Sequence, residues 1–329
     1  MLRGGRPRRS FLYVPAHNPR YIEKALTSVA DCIVLDLEDG VAESEKDLAR
    51  RNIQSVLQRL SSEGYRAGEN SAAELCVRVN SEGWLEKDAW GDVYRAPQAP
   101  SKTLDRDLDL LALPEAGGIT VVLPKANSPS DILNVQKVIV AKRALAHGDA
   151  VVSRDIAVIP IFETAHAMVS LPDFAKSCIS MPAIVFAAED YCASLGIPRL
   201  ADFSNMLYAR SAVVNLCKML GITPIDMVCQ DYTDKSILER ECNDALGLGF
   251  EGKQVVHPGQ IETVNKSFAP SPETLAYSRR VLAAMQQQPQ KGAFELEGKM
   301  VDKPVFRKAE DICALHEGFE EYERRRFVA

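Results

Sequence analysis

Apolar residues collect in short unbroken runs along the chain: SFLYVP (10–15), CIVLDLED (32–39), LCVRVN (75–80), ITVVLPK (119–125), IAVIPIFET (156–164), AIVFAAED (183–190), IDMVCQD (225–231) and KQVVHP (253–258). Runs that stay apolar, rich in β-branched residues, predict strands covered on both faces of a parallel sheet. Between them the spacing turns helical. NPRYIEKALTSV follows the first run, and SEKDLARRNIQSVLQRL follows the second with Ser44 as N-cap. SPSDILNVQKVIVAKRALA has Ser128 as cap and Pro129 at the first helical position, and NMLYARSAVVNLCKMLG stops on Gly221. Eight strands alternating with helices predict an α/β fold, a (β/α)8 TIM barrel over residues 10–270.

Both ends depart from that rhythm. Residues 1–9 form a basic tail, read either as the remnant of a targeting peptide or as a frayed end. Residues 271–329 predict a helix capped by Ser271, a short hairpin or loop at KGAFELEGKMVDKP and a charged closing helix. That stretch is too short for a core of its own, so it is expected to serve as a lid or oligomerisation extension.

Several apolar runs end abruptly in acids, as in IVLDLEDG, IPIFETA and VFAAEDY. Barrel enzymes build their sites at the C-terminal strand ends, which here carry Tyr13, Asp36, Glu38, Asp39, Arg78, Asn80, Lys125, Glu163, Glu189, Asp190, Asp231 and His257. Glu163 and Asp190 lie at the tips of the fifth and sixth runs. Two neighbouring carboxylates suit a hard cation such as Mg²⁺, and equally suit salt bridges to Arg78, Lys125 or Arg210. His257 has no partner His or Cys at ligand spacing and reads as a hydrogen-bonded rim or core residue. GLGFEG (247–252) has dinucleotide-fingerprint lettering, but it follows a helix and precedes a strand, so it reads as a helix stop and turn.

Composition narrows the partners. The 329 residues are 46% hydrophobic and 26% charged with a net charge of -6, which argues against nucleic acid or an anionic membrane surface. No apolar run approaches the roughly 18 residues that span a bilayer. The eight cysteines are scattered without a C-x-x-C, and several sit inside apolar runs. They predict buried free thiols in a reducing compartment, mitochondrial or cytoplasmic, and not a secreted protein.

Taken in order, FLYVPAHNPRYIEKAL, IVLDLEDGVAESEKDLAR, VRVN, VVLPKANSP, IPIFETA, VFAAEDY, LYARSAVV and LGFEGKQVVHPGQIETVN resemble the citrate lyase β-subunit family. This is the acyl-CoA lyase branch of the HpcH/HpaI aldolases, and the nearest likeness is to its citrate-lyase-β-like (citramalyl-CoA lyase) group. The resemblance implies a Mg²⁺-dependent carbon–carbon lyase that splits a β-hydroxyacyl-CoA, of citramalyl-CoA or malyl-CoA type, into acetyl-CoA and a keto acid. CoA would enter as part of the substrate, and reverse condensation with thioester hydrolysis would use the same site. A homotrimer or homohexamer is implied as well.

Residue by residue, the resemblance places Glu163 and Asp190 on the metal and Arg78 on the substrate. Tyr13, Arg20 and Lys24 fall on the positions that meet the CoA portion, and Gln230 and Asp231 on a substrate-contacting pair. Asp302 falls on the catalytic acid/base, delivered from a neighbouring subunit. Ala16, Ala167 and one of Ala187 or Ala188 stand where relatives carry glycine, so they are expected to narrow the pocket or shift the bound acid. His166 is expected to add a donor facing the substrate. Two rival readings are a barrel aldolase acting on free hydroxy-keto acids and a non-catalytic acyl-CoA-binding paralogue. Arg20 and Lys24 speak against the first, and the joint presence of Glu163, Asp190, Arg78 and Asp302 against the second.

Overall fold

A computed structural model describes residues 6–63, 73–81, 85–88, 91–94, 100–147, 156–177, 179–287 and 292–328. Its strands are β1 (Ser10–Pro15), β2 (Cys32–Asp36), β3 (Glu74–Arg78), β4 (Leu85–Asp88), β5 (Gly91–Tyr94), β6 (Thr120–Leu123), β7 (Val158–Phe162), β8 (Ala183–Phe186), β9 (Thr223–Asp226), β10 (Gly252–Val255), β11 (Ala293–Leu296) and β12 (Lys299–Asp302). Its helices are α1 (Pro19–Leu26), α2 (Lys46–Ser62), α3 (Lys102–Leu111), α4 (Pro129–His147), α5 (Ala165–Val169), α6 (Leu171–Lys176), α7 (Ala188–Leu195), α8 (Leu207–Leu220), α9 (Lys235–Leu248), α10 (Ile261–Ser267), α11 (Pro272–Gln287) and α12 (Lys303–Val328).

Eight strands close in the order β1-β10-β9-β8-β7-β6-β3-β2, parallel throughout, as the apolar runs predict. The antiparallel β4–β5 hairpin, in register Leu85↔Tyr94, interrupts the crossover from β3 to β6 and has no counterpart in the sequence reading. Pro129 opens α4, and Gly221 ends α8 with a φ of 72°. Ser44 does not cap α2: it lies in a 3₁₀ turn, Glu43–Glu45, that feeds the helix directly. GLGFEG is the stop of α9 and the start of β10, with Gly249 at φ 102°.

Strand side chains alternate with period two. One set meets the helices in the large outer core. The other fills the barrel with Phe11, Cys32, Val34, Cys76, Val122, Ile159, Ile161, Ala183, Val185 and Ile225. The described cysteines are free, and six of them are buried.

The N-terminal segment is not a frayed tail over its described part. Arg8 and Arg9 are 4% and 3% exposed and close the floor of the barrel. Arg8 Nε donates to Glu74 Oε2 at 2.6 Å, and Arg9 Nε to Asp31 Oδ2 at 2.8 Å. Burial alone would raise the Glu74 carboxyl, but the Arg8 guanidinium prevails and holds it below the usual carboxylate range. The acids at the bottom of β2 and β3 therefore recruit these arginines as their counter-ions. Gly252 lets the segment pass, because a Cβ there would lie 2.0 Å from the Arg8 carbonyl oxygen.

The closing helix α12 runs beneath this floor. Arg9 stacks over Phe319 at 4.4 Å and reaches Glu323 at 3.2 Å. Ser271 Oγ accepts from Thr274 N as the predicted cap of α11, and β11–β12 form the predicted hairpin. No described helix is long and apolar enough to cross a membrane.

Candidate active site

The inward parity that fills the barrel with apolar side chains continues to its C-terminal mouth. Counting by twos, Phe11 leads to Tyr13, Val34 to Asp36, Cys76 to Arg78, Ile161 to Glu163 and Val185 to Ala187. The chemical groups at the mouth are the last members of the lumen columns.

Asp36 and Arg78 pair across the register of β2 and β3, with Arg78 Nε and Nη2 each 2.6 Å from an Asp36 oxygen. Asp36 also accepts the backbone N–H groups of Glu38 and Gly40, both at 2.9 Å, and so folds the turn beyond β2 around itself. A Cβ on Gly40 would stand 2.4 Å from Asp36 Oδ2, so that position requires glycine. The turn brings Glu38 inward, 5% exposed, with Arg78 Nη1 and Lys125 Nζ each 3.0 Å from its oxygens and Ser81 Oγ donating at 3.2 Å. Burial raises the Glu38 carboxyl despite these cations.

Glu163 is 3% exposed and accepts the Lys125 backbone N–H at 2.6 Å. Burial first, then the charges of Glu38 and Asp190, push its carboxyl up to about 8. Asp190 follows in the first turn of α7, where the helix N-terminus favours an acid. Four carboxylates, Asp36, Glu38, Glu163 and Asp190, thus face two cations, Arg78 and Lys125. That imbalance fits a divalent cation held by Glu163 and Asp190. No group of three or more His, Cys, Asp or Glu poised as a metal cage exists among the described residues. A two-carboxylate site of the kind Mg²⁺ accepts, with other positions left to water and substrate, needs none.

The remaining expected residues distribute as follows. Tyr13 sits within the mouth, its ring 4.8 Å beneath the Arg78 guanidinium, its hydroxyl buried without a hydrogen-bond partner and raised by that burial. Arg20 and Lys24 are exposed on α1, outside the barrel, where Lys24 and Lys235 line a groove of about 520 Å³ with Pro258 and Gly259. Gln230 Nε2 donates to Glu189 Oε1 at 3.1 Å. Asp231 Oδ1 is occupied by Thr233 and Asp234 in its own turn, and these hydrogen bonds lower its carboxyl.

Asp302 ends β12 and accepts the Val305 N–H at 3.2 Å. The helix that follows it packs under the floor, where Lys308, Asp311, Leu315 and Phe319 border one cavity with Arg8 and Arg9. Arg210 does not serve the rim: it is buried on α8 against Asp226 and Asp244. His166 is exposed on α5, and His257 caps the turn after β10 by accepting from Gly259 N. Of the four alanines, Ala187 alone packs with the lumen cluster. Ala16, Ala167 and Ala188 are fully buried in the helix-facing core and do not narrow the pocket directly. Asp36, Glu38 and Lys125 were recognisable as strand-end residues, but not as one bonded cluster with Arg78 and Glu163. The period-two count through each strand is the signal that finds Asp36.

A closed parallel barrel with its polar groups gathered at the C-terminal mouth has the architecture of a (β/α)8-barrel enzyme. The chain belongs to the family described as HpcH/HpaI aldolase/citrate lyase, which matches residues 9–90 and 84–258. The mitochondrial citramalyl-CoA lyase of Rattus norvegicus is 33% identical over 321 residues, covering 94% of this chain and 86% of that protein. The citrate lyase subunit β of Escherichia coli K12 is 29% identical over 314 residues, covering 95% of this chain and 94% of that protein. Among solved structures, protein CitE of Mycobacterium tuberculosis, in complex with magnesium, acetoacetate and coenzyme A, aligns with a TM-score of 0.70 at 30% identity. That alignment covers 96% of this chain and 100% of that one.

Proposed function

We propose that the chain is a Mg²⁺-dependent carbon–carbon lyase that cleaves a β-hydroxyacyl-CoA into acetyl-CoA and a keto acid. Citramalyl-CoA, yielding pyruvate, is the leading substrate, and malyl-CoA, yielding glyoxylate, is the next. The observation that carries this reading is the buried carboxyl of Glu163 at the mouth of the barrel, which burial and the neighbouring charges of Glu38 and Asp190 push up to about 8. Such a group is costly to ionise without a cation and inexpensive to ionise with one. Similarity to citramalyl-CoA lyases and to a relative solved with magnesium and coenzyme A supports the same substrate class.

Glu163 and Asp190 would hold the Mg²⁺, which would supply Lewis-acid polarisation to the oxygens at the substrate's hydroxy acid end. Arg78, oriented by Asp36 and Glu38, keeps guanidinium hydrogens for the thioester oxygen, where the enolate charge develops as the bond breaks. Asp302 takes the hydroxyl proton. The electrons of the carbon–carbon bond pass to the acetyl-CoA enolate, which is then protonated at carbon, while the hydroxyl carbon becomes the keto group.

Asp302 would come from a neighbouring subunit, because its own α12 is engaged beneath the floor. Residues 271–329 then act as a lid and oligomerisation extension of a homotrimer or homohexamer. Arg20 and Lys24, with Lys235 beside the groove, meet the CoA phosphates, and Gln230 and Asp231 border the substrate. The free thiols among the described cysteines support a reducing compartment.

The test is release of keto acid and acetyl-CoA from citramalyl-CoA and from malyl-CoA, with Mg²⁺ and with EDTA. Cleavage only with Mg²⁺ is expected. Folded protein that binds Mg²⁺ yet cleaves neither thioester would refute the substrate assignment.

A further inference from the structure

Lys125 stands two residues beyond β6 at a φ of 51°, the left-handed region that side-chain-bearing residues rarely adopt. Two contacts accompany that conformation. The backbone N–H of Lys125 leaves the strand ladder and donates to Glu163 Oε1 at 2.6 Å, while the next N–H, of Ala126, returns to the ladder at Ile161 O, 3.3 Å away. The ammonium lies 3.0 Å from Glu38 Oε1. The Lys125 N–H thus meets the carboxylate that ends the β7 column, the positive φ lets the next N–H rejoin the ladder, and the side chain holds the neighbouring carboxylate aside.

We infer that Lys125 is a positioning residue for Glu163. Its left-handed backbone lets the chain rejoin the ladder at Ala126 while its N–H stays on the Glu163 carboxylate and orients it, leaving Oε2 for the ion, and its ammonium ties Glu38 away from it. This rests on the reading of Glu163 as a metal ligand. Strain of this kind persists only where the surroundings enforce it, and here the enforcing contacts are those of the site.

The backbone role separates from the charge by comparing Lys125→Gly with Lys125→Val. Both lose the same ammonium. Glycine adopts the left-handed conformation freely, and a β-branched residue resists it. Mg²⁺ affinity, measured by calorimetry on substrate-free protein beside thermal melts, is expected to be about tenfold higher for Lys125→Gly than for Lys125→Val, the size of the left-handed penalty. kcat/KM should follow the same order.

If Lys125→Val fails to fold, Lys125→Asn against Lys125→Met makes the same comparison, since asparagine tolerates that region. Equal Mg²⁺ affinities in a folded pair, with wild-type protein binding Mg²⁺, overturn the inference and leave the metal reading standing. Wild-type protein that binds no Mg²⁺ overturns both.

Discussion

Glu163 concentrates the energetics of the mouth in one carboxyl. Its folded pKa, up to about 8, lies above the usual glutamate value near 4.3, so the folded state holds this proton more tightly than the unfolded chain. The group's contribution to stability is therefore full below the unfolded pKa and is lost as pH rises towards 8. A bound cation reverses the cost, because it favours the ionised form. Thermal melts should show metal-free protein weakening from pH 5 to 8.5 through this group, with stabilisation by Mg²⁺ growing over the same window. Glu163→Gln should flatten both trends. An unchanged slope in that variant would mean that other groups set it.

Ala187 permits a specificity prediction at the same scale. Its methyl is the one that borders the lumen, so Ala187→Gly should raise the preference for citramalyl-CoA over the smaller malyl-CoA. One methyl in an apolar pocket is worth roughly tenfold, and paired kcat/KM values would read the shift. Asp36 and Glu163 were recognisable in the sequence as acids where apolar runs stop. Their shared inward direction follows from parity once one lumen residue is known. The Lys125 contact was not legible, because no sequence pattern reports a left-handed lysine.

Among elements, the C-terminal hairpin and α12 carry the proposed acid at one end and an anchor to the floor at the other. Their outer end, Asp302, is half-exposed and accepts one hydrogen bond, whereas their inner surface is anchored by Arg9, Phe319 and Glu323. Asp302→Ala should therefore lower kcat by at least the 10²- to 10⁴-fold typical of positioned acid–base catalysis, with an unchanged melting temperature. Mixed oligomers of Asp302→Ala and Glu163→Ala subunits, each inactive alone, should regain activity if the site is shared. Verified mixed oligomers without activity would require Asp302 and Glu163 to work within one chain.

Arg9→Ala tests the anchor. It leaves Asp31 buried without its partner, a loss of about 3–5 kcal/mol that chemical denaturation would detect. The hairpin and helices were visible from turn glycines, the Ser271 cap and helical spacing. Their packing under the floor was not, because Arg8 and Arg9 read as a basic tail until Glu74 and Asp31 met them.

For the whole molecule, closure of the barrel gathers groups separated by more than a hundred residues. Tyr13, Arg78, Glu163 and Asp190 converge because eight strands share one tilt and one direction. The same closure separates the mouth from the floor, where α12 lies. With Asp302 as the proposed acid on that segment, the subunit is expected to work only in a closed oligomer. Sedimentation should report a trimer or hexamer, and dilution that dissociates it should abolish turnover faster than it unfolds the protein. Activity retained by a monomer would contradict this arrangement.

The sequence by itself determined the eight apolar runs, their helical connections, the acid-tipped strand ends and the chain order of the family's motifs. These depend on local periodicity and on residue chemistry, which are written residue by residue. Only the tertiary structure decided that Arg8 and Arg9 belong to the floor, that Arg210 serves a buried pair with Asp226 and Asp244, and that Ala187 alone among the four alanines faces the lumen. It also decided that Lys125 turns its backbone onto Glu163. Each of these depends on which groups meet across the barrel, and long-range proximity with the charge pairing it permits has no signature along the chain.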